Sequence, residues 1–506
     1  MGKFQSGLRG LPLAALALAC NAAFAAHVNP ELIVRAQHEG SVEALIVLPD
    51  QTAPLLAPLD VNADYKVHRR ALVEALRDRA AVQQADVRAW LDSRGIEYRA
   101  YWISNLLWAR VSATDLVALA QRSDVAKLET NPQVAMRLPQ QTTASPIPDA
   151  VEAVAWGVAK INAPQVWAAG FNGQGVVIAG EDTGYQWDHP ALKSHYRGWD
   201  GANADHDYNW HDAIHTNGGT NVCGVDSPFP CDDNGHGTHT AGTFAGDDGG
   251  SNQIGVAPGA KWIGCRNMDA GDGTPARYVE CMQWMLAPTD LNDANPNPDL
   301  APDIVSNSWG CTVGEGCTVG NEIEAAVNNV VAGGIFFAVA AGNGSSTACG
   351  LIANAPAIYD ASFVVGATGS SDALASFSLR GPVAGASGVR PDLSAPGVSV
   401  CSSVPTNSYS CAYSGTSMAT PHVAGAAALV MSLNPALKGH PDRVAQILRT
   451  TATTTGVTDP INQTCGGTPR TQWPNNMVGY GRVDAWSAAI AADTLFKDGF
   501  DETPSG

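Results

Sequence analysis

The sequence predicts an α/β protein in which helices cover both faces of a mainly parallel sheet, preceded by a small α+β domain. Three observations support this prediction. Between residues 156 and 492, short apolar runs alternate with helical segments, the pattern of strands joined by helical crossovers. Before residue 140, the order of elements is β-α-β-β-α-β. Between the two regions, Pro139, Pro146 and Pro148 stand among small and polar residues, which is typical of an exposed linker.

Residues 1–26 are typical of a secretory signal peptide. Lys3 and Arg9 precede an apolar stretch, and the Ala-Phe-Ala sequence at residues 23–25 suits a signal peptidase. The stretch is too short for a permanent membrane helix. We therefore expect a secreted, extracellular protein without a stable membrane anchor, with a lipoprotein attached through Cys20 as the alternative.

Acidic residues are concentrated in the second region. The 506 residues carry a formal net charge of −19. Residues 27–140 contain 13 basic and 14 acidic side chains, whereas residues 141–506 contain 14 and 34. Such an acidic surface argues against nucleic acid as a partner and favours solubility outside the cell. We expect the protein to be a monomer.

The cysteines predict disulfide bonds. Without Cys20, ten of the 11 cysteines remain, an even number in a chain bound for an oxidising compartment. Metal–thiolate sites are the weaker alternative because the chain has no CxxC pair. The sequence does not determine the pairing, but the pairs closest along the chain are Cys223 with Cys231, Cys311 with Cys317, and Cys401 with Cys411.

The first region, residues 27–140, has the periodicity of a compact split βαβ domain, the ferredoxin-like arrangement. A long amphipathic helix over residues 64–94 ends at Gly95, which suits a helix C-terminus. The other predicted elements are strands at 43–48, 96–103, 106–111 and 125–130 and a helix at 114–121. This architecture alone does not indicate a function.

The second region, residues 156–492, has apolar runs that predict buried strands. Functional residues should gather where such strands end. Residues 493–506 form a short tail. The predicted strands cover residues 176–180, 261–265, 304–307, 335–340 and 363–367, and the helices cover 274–286, 321–332 and 416–433.

Ser417 is the candidate nucleophile. It lies in the segment Gly-Thr-Ser-Met-Ala-Thr-Pro-His-Val-Ala-Gly at residues 415–425, which is followed by small apolar residues. This pattern predicts a tight turn and then a buried helix, with the hydroxyl at the helix N-terminus. The alternative is a serine that merely caps the helix.

Asp182 and His236 are candidates for the rest of a catalytic relay. Asp182 closes a predicted strand and begins an Asp-Thr-Gly motif, but an aspartic protease needs two such carboxylates and the chain has one motif. His236 is flanked by glycines and suits a general base. Its neighbour His239 suggests a metal pair, yet the glutamate of a zinc protease is missing, so we interpret His239 and His422 as packed, structural side chains.

Asn343 follows the predicted strand at 335–340. A strand-end asparagine is often a turn residue. One that points into an acyl-transfer site donates a hydrogen bond to the developing negative charge.

These motifs resemble those of subtilisin-like serine proteases, the subtilases. Asp182, His236 and Ser417 occur in the family's order, 54 and 181 residues apart, with the Asn343 segment between the last two. The similarity extends from about residue 156 to 492 and includes the Ser-Trp-Gly motif at 308–310. The additional cysteines depart from the family pattern.

The resemblance implies a three-layer sandwich and a secreted endopeptidase that acts on polypeptides. Ser417 would be the nucleophile, His236 the base and Asp182 its partner, while Asn343 and the Ser417 backbone N–H would form the oxyanion hole. The expected substrate-binding residues are Ser308, Trp309, Gly310, Ala341 and Gly342. All four catalytic positions hold competent residues, which disfavours a catalytically silent binding or adhesion protein on the same fold.

The resemblance implies no catalytic cofactor, but subtilases often hold structural calcium. Residues 205–212 and 247–248 offer carboxylate oxygens, although no ligand is assigned.

Residues 27–140 resemble the inhibitory propeptide of secreted subtilases. The predicted long helix supports this, because residues 66–94 hold seven basic and four acidic side chains, a cationic surface suited to an acidic enzyme. Residues 141–155 would be the linker and processing region. We expect autocatalytic cleavage between Leu138 and Ala155.

Overall fold

The structure is a computed structural model that describes residues 26–49, 64–136, 154–216, 221–312, 317 and 322–497. Residues 1–25 of the predicted signal peptide, residues 137–153, which include most of the predicted linker, and residues 498–506 of the predicted tail lie outside the described residues. Within the described part, no helix is both long and apolar enough to cross a membrane.

The N-terminal domain has the predicted split βαβ arrangement. Its elements are β1 (His27–Val28), α1 (Pro30–Glu39), β2 (Ser41–Val47), α2 (Tyr65–Gln83), α3 (Ala85–Ser93), β3 (Tyr98–Tyr101), β4 (Leu106–Ser112), α4 (Ala113–Ala120), β5 (Lys127–Thr130) and β6 (Val134–Ala135). The five-stranded sheet has the order β1-β5-β2-β4-β3. The β1–β5 pair is parallel and the others are antiparallel.

Two features of this domain differ from the sequence prediction. The elements β1, α1 and β6 were not predicted, although Asn29 caps α1, Pro30 begins it and Gly40 ends it. The predicted helix over 64–94 is two helices, α2 and α3, separated at Gln84. The buried amide of Gln84 donates to the backbone oxygen of Tyr101 at 3.1 Å, so a tertiary contact lies at the break while the apolar spacing continues across it.

The larger domain contains a seven-stranded parallel sheet in the order β17-β16-β14-β12-β7-β9-β8. This confirms the predicted α/β class. The two edge strands, β8 and β17, were not predicted. The elements are α5 (Trp156–Lys160), α6 (Ala163–Ala168), β7 (Val177–Asp182), β8 (Trp210–Asp212), α7 (His236–Ala245), β9 (Lys261–Arg266), β10 (Met268–Asp269), β11 (Asp272–Gly273), α8 (Pro275–Leu286), β12 (Ile304–Asn307), β13 (Cys311–Thr312), α9 (Glu322–Ala332), β14 (Phe336–Ala340), β15 (Asn354–Ala355), β16 (Phe363–Thr368), β17 (Leu393–Pro396), β18 (Val400–Val404), β19 (Ser408–Tyr413), α10 (Thr416–Leu433), α11 (Pro441–Thr450), β20 (Thr464–Cys465), β21 (Thr468–Pro469) and α12 (Ala485–Lys497).

Helices cover both faces of this sheet, which gives the expected three layers. On one face, α10 is buried along its length from Thr416 to Ser432 and packs with α7 and α12. Its Ala- and Gly-rich sequence allows this close packing: a Cβ added at Gly425 would lie 2.5 Å from the Val256 side chain. On the other face, α8 and α9 pack together over the sheet.

The hydrophobic layer around α8 and α9 continues into the N-terminal domain. Val73, Leu76 and Tyr101 of that domain belong to the same buried cluster as Met282 of α8 and Val327 of α9. A separate cluster forms the interior of the N-terminal domain itself. The two domains therefore meet through buried apolar side chains that form one continuous cluster.

Disulfide bonds join the ten cysteines that follow Cys20. The three sequence-adjacent pairs predicted above are present: Cys223–Cys231, Cys311–Cys317 and Cys401–Cys411. The other two are Cys265–Cys281 and Cys349–Cys465, with sequence separations of 16 and 116.

Candidate active site

Asp182 and His236 meet at the carboxyl end of the parallel sheet. Asp182 ends β7 and His236 begins α7, and His236 Nδ1 donates to Asp182 Oδ1 at 2.7 Å. Both side chains are buried. Because a carboxylate only accepts, the proton lies on Nδ1, and Nε2 of the neutral imidazole is an acceptor. Among the described residues, His236 Nε2 has no hydrogen-bond partner.

Gly237 allows α7 to approach the end of β7 closely. A Cβ at this position would lie 2.1 Å from the Gly184 backbone oxygen and 3.1 Å from Asp182 Cβ. A side chain at residue 237 would therefore push the helix away from the strand. Residue 237 must therefore be a glycine for the His236 imidazole to lie within hydrogen-bonding distance of the Asp182 carboxylate.

Ser417 is the second residue of α10, at the buried end of the helix. Its Oγ donates to the Ser308 backbone oxygen at 2.8 Å, and Ser308 Oγ donates to the Ser417 backbone oxygen at 2.9 Å. The structure thus joins His236 directly to Asp182 and holds the Ser417 hydroxyl on Ser308, the residue after β12.

Asn343 lies beside Ser417 with its carbonyl oxygen already occupied. Asn343 Oδ1 accepts from Thr416 N at 2.9 Å and from Thr416 Oγ1 at 3.1 Å. The side-chain NH2 group, a donor only, is thereby oriented away from Thr416. Asn343 and Ser417 both line a cavity of about 550 Å³.

Four of the five predicted substrate-binding residues line this cavity: Ser308, Trp309, Gly310 and Gly342. Ala340 lines it as well, whereas Ala341 is fully buried in the α8–α9 layer. No pattern in the sequence indicates the partner of Trp309, whose ring stacks on Tyr278 of α8 with 3.7 Å between the ring centroids and a 10° interplanar angle.

The end of the N-terminal domain enters the same cavity. Strand β6 pairs antiparallel with β11, with Val134 opposite Gly273 and Ala135 opposite Asp272. The next residue, Met136, donates its N–H to the Gly271 oxygen at 2.9 Å. Ala135 and Met136 both line the cavity that contains Ser417.

A second cluster of titratable side chains, which sequence reasoning missed, lies between the domains. His211 Nε2 and His215 Nε2 contact Glu280 Oε1 at 3.0 and 2.7 Å. Their Nδ1 atoms face Asp293 and Asp226, at 3.3 and 2.5 Å. An imidazole that faces a carboxylate with both nitrogens donates from both, so this geometry favours two imidazolium ions.

The pKa values of this cluster follow from these contacts. Burial lowers the pKa of His211, but hydrogen bonds to Asp293 and Glu280 outweigh it and raise that pKa to about 10. Burial also lowers the pKa of His215, but attraction and a hydrogen bond to Glu280, together with the hydrogen bond to Asp226, outweigh burial and raise that pKa. Burial opposes ionisation of Glu280, yet the two histidines hold its pKa below the ordinary value.

His239 and His422 are packed side chains, as expected. His239 Nε2 contacts the Val400 oxygen at 3.0 Å and its ring stacks on Tyr413. His422 Nδ1 contacts the Met418 oxygen at 2.8 Å. Burial lowers their pKa values to about 3 and about 4, respectively, so both are neutral at neutral pH.

Carboxylates in the acidic loops mostly cap their own turns. Asp205 accepts from the Asp207 N–H, and Asp248 accepts from the N–H groups of Gly250 and Asn252. Within the described ranges, no group of three or more His, Cys, Asp or Glu side chains is arranged to hold a metal ion.

The chain belongs to the subtilase family, whose sequence model matches residues 173–481. That segment includes Asp182, His236, Asn343 and Ser417. The expected resemblance to this family is thereby confirmed.

Particular relatives are bacillopeptidase F and subtilisin E, both of Bacillus subtilis (strain 168). The chain is 37% identical to bacillopeptidase F over 445 residues, covering 84% of this chain and 29% of that protein. It is 33% identical to subtilisin E over 285 residues, covering 56% of this chain and 62% of that protein. The chain is 33% identical to alkaline elastase YaB of Bacillus sp. (strain YaB) over 338 residues, covering 66% of this chain and 73% of that protein.

The chain thus spans under a third of bacillopeptidase F and under two thirds of subtilisin E. The region similar to bacillopeptidase F makes up 84% of this chain, which is more than residues 138–506 make up. It therefore includes part of the N-terminal domain. Residues 208–210, 286–290 and 307–310 resemble the corresponding segments of bacillopeptidase F, in agreement with this similarity.

Proposed function

We propose that the protein is a secreted serine endopeptidase that hydrolyses peptide bonds through an acyl-enzyme. The observation that carries the proposal is the buried 2.7 Å hydrogen bond from His236 to Asp182, which leaves Nε2 free to accept a proton. Ser417 at the start of α10, beside the cavity, supplies the nucleophile for that base.

In the proposed reaction, the Ser417 hydroxyl turns from the Ser308 oxygen to His236 Nε2. Oγ then attacks the scissile carbonyl carbon while its proton passes to Nε2, and Asp182 stabilises the resulting imidazolium. The Asn343 NH2 group and the Ser417 N–H donate to the oxyanion. The departing amine takes the proton from Nε2, and a water molecule activated by His236 then hydrolyses the acyl-enzyme.

We also propose that the chain is made as a zymogen whose N-terminal domain blocks the substrate groove. The pairing of β6 with β11 and the positions of Ala135 and Met136 in the cavity support this, because a substrate could not bind there at the same time. Charge complementarity adds to the contact: Arg70 pairs with Asp299 at 2.5 Å, and buried Arg69 donates to the Gly333 oxygen at 2.7 Å.

Maturation would then require cleavage after this strand. The proposed range, from Leu138 to Ala155, lies almost entirely outside the described residues. N-terminal sequencing of the secreted protein tests it, and a fully active form that still begins near His27 would refute the propeptide assignment.

A fluorophosphonate probe distinguishes an enzyme from a catalytically silent relative. We expect the processed wild-type protein to be labelled at Ser417, with labelling abolished by Ser417→Ala and strongly reduced by His236→Ala. Absence of labelling in processed, folded protein would favour a secreted binding or adhesion protein.

Structural calcium remains a proposal that rests on the family and on the acidic loops. A lower unfolding temperature in chelator would support it, and an unchanged one would argue against it.

A further inference from the structure

Asp232 lies between the two elements that carry the His236–Asp182 pair. Its carboxylate accepts five hydrogen bonds, from α7 and the turn before it and from Thr183, the residue that follows β7. We propose that Asp232 is a positioning residue that fixes the start of α7 against the end of β7 and so sets the direction of the His236 imidazole. The inference rests on the proposed triad.

On the helix side, Asp232 accepts hydrogen bonds from residues before and after His236. The N-cap residue of α7 is Gly235, which has no side chain to cap the free N–H groups. Asp232 Oδ1 accepts from Gly235 N at 2.8 Å, and Oδ2 accepts from Thr238 N at 3.0 Å and Thr238 Oγ1 at 2.5 Å. The carboxylate therefore caps the helix on both sides of His236, and its charge suits the helix N-terminus.

On the strand side, the contact runs through Thr183. Thr183 Oγ1 donates to Asp232 Oδ1 at 2.9 Å and accepts from Gly237 N at 3.0 Å. Thr183 directly follows Asp182 and donates its own N–H to Asp182 Oδ1 at 2.7 Å. One carboxylate thus links the residue after the catalytic aspartate to the residues around the catalytic histidine.

The start of α7 is packed too closely against the end of β7 to shift without moving the His236 side chain. Because α7 and the end of β7 already touch at Gly237 and Gly184, a rotation of the helix start moves the imidazole relative to Asp182. A displacement of about 1 Å in a catalytic group can cost about 100-fold in rate. Loss of the Asp232 contacts should therefore reduce the rate of the chemical step more than the binding of substrate.

Asp232→Asn is the direct test. The amide oxygen can still accept on the Oδ1 side, but the NH2 group faces the Thr238 donors and cannot accept from them. With a peptide p-nitroanilide that the wild type cleaves, we expect kcat to fall about 10- to 100-fold while KM changes by about threefold or less. If the variant does not process itself, a trace of wild-type enzyme, removed afterwards, matures it.

The neighbouring Asp233 provides a matched control. It accepts from Arg266 Nη2 at 2.7 Å and from Ala270 N at 3.0 Å, and no hydrogen bond is found from it to α7 in the described chain. Asp233→Asn should lower the unfolding temperature, because it removes a carboxylate charge that pairs with the buried Arg266. It should leave kcat close to the wild-type value.

A wild-type kcat in folded Asp232→Asn, or an equal loss in Asp233→Asn, would overturn the inference. Thr183→Val, which removes only the hydroxyl link, keeps the test decisive if Asp232→Asn does not fold: a reduced kcat at unchanged KM supports the inference and a wild-type kcat refutes it. Failure of the wild type to react with a fluorophosphonate would instead refute the proposed function.

Discussion

Tyr101 of the N-terminal domain donates a hydrogen bond to Glu280 of the larger domain, with 2.9 Å between the hydroxyl and carboxylate oxygens. The other oxygen of Glu280 is held by His211 and His215. One turn along α8, Gln283 Oε1 accepts the backbone N–H of Trp102 at 2.7 Å. The β3–β4 turn of the N-terminal domain is therefore anchored on two polar residues of a single helix.

The Tyr101 contact predicts that Tyr101→Phe weakens docking of the N-terminal domain. A hydrogen bond to a charged group contributes about 1.5–3 kcal/mol, so we expect the dissociation constant to rise about tenfold or more. The measurement uses the Ser417→Ala chain with a specific protease site inserted between residues 140 and 141, followed by dissociation after cleavage. Tyr98→Phe is the control, because Tyr98 packs within the N-terminal domain. Equal dissociation in the two variants would contradict the prediction.

The same cluster predicts that the fold is less stable at alkaline pH. Burial lowers the pKa values of both histidines in the folded protein, but the contacts with Glu280, Asp293 and Asp226 outweigh it and raise them above the ordinary value of 6.5, to which unfolding returns them. Their stabilisation is therefore complete below pH 6.5 and is lost as pH rises toward the His211 pKa of about 10. We expect the free energy of unfolding of the Ser417→Ala protein, measured by denaturant titration, to be lower at pH 10 than at pH 7.

Substituting both histidines tests the origin of that pH dependence. In His211→Gln/His215→Gln the amides donate to Glu280 without titrating, so the difference in free energy of unfolding between pH 7 and pH 10 should decrease. Other charged groups near the cluster include Arg99, Glu43, Asp226 and Asp293. If the double variant keeps the wild-type difference, one of these other titratable groups causes the effect.

The position of Asn343 predicts a large effect on kcat. Asn343→Ala removes the proposed oxyanion donor, and loss of such a donor in a subtilisin costs about 10²–10³ in kcat. We expect a loss of this size with little change in KM, measured on the matured enzyme. Asn354→Ala changes another asparagine of the same cavity and should leave kcat close to wild type. A similar loss in both variants would indicate a general disturbance of the cavity.

The disulfides predict unequal contributions to stability. In the chain-entropy model, Cys349–Cys465, which closes a loop of 116 residues, contributes about 4.8 kcal/mol, and Cys311–Cys317, which closes six, contributes about 2.2 kcal/mol. We expect the double Cys→Ser variant at 349 and 465 to lose more free energy of unfolding than the variant at 311 and 317. Denaturant titrations in the Ser417→Ala background avoid self-digestion, and the reverse order would contradict the entropic argument.

Local patterns in the sequence were enough to predict much of this architecture. Buried parallel strands are continuous apolar runs, so β7, β12 and β14 were recognised near their observed bounds. The positions of Asp182 and Asn343 after such runs placed both at the carboxyl edge of the sheet. The adjacent cysteine pairs followed from short loops that bring two thiols together.

Features that depend on contacts between distant segments could not be predicted. The interruption at Gln84 is associated with a bond to Tyr101 in another element, and Cys349 and Cys465 meet only through the completed fold. The Glu280 cluster combines side chains from separate parts of both domains, with no shared sequence pattern. The Ser417–Ser308 hydrogen bond likewise depends on how α10 meets β12.

The strand pairing between Val134–Ala135 and Asp272–Gly273 uses main-chain atoms, which every extended peptide also possesses. In the proposed zymogen, a polypeptide substrate therefore competes with a segment of the same molecule for one edge. A tether gives its segment an effective concentration of about millimolar, so the covalent link, more than any particular side chain, decides which peptide occupies that edge. Cleavage of the chain between the two domains lowers the effective concentration of the Val134–Ala135 strand and makes the edge at Asp272–Gly273 accessible.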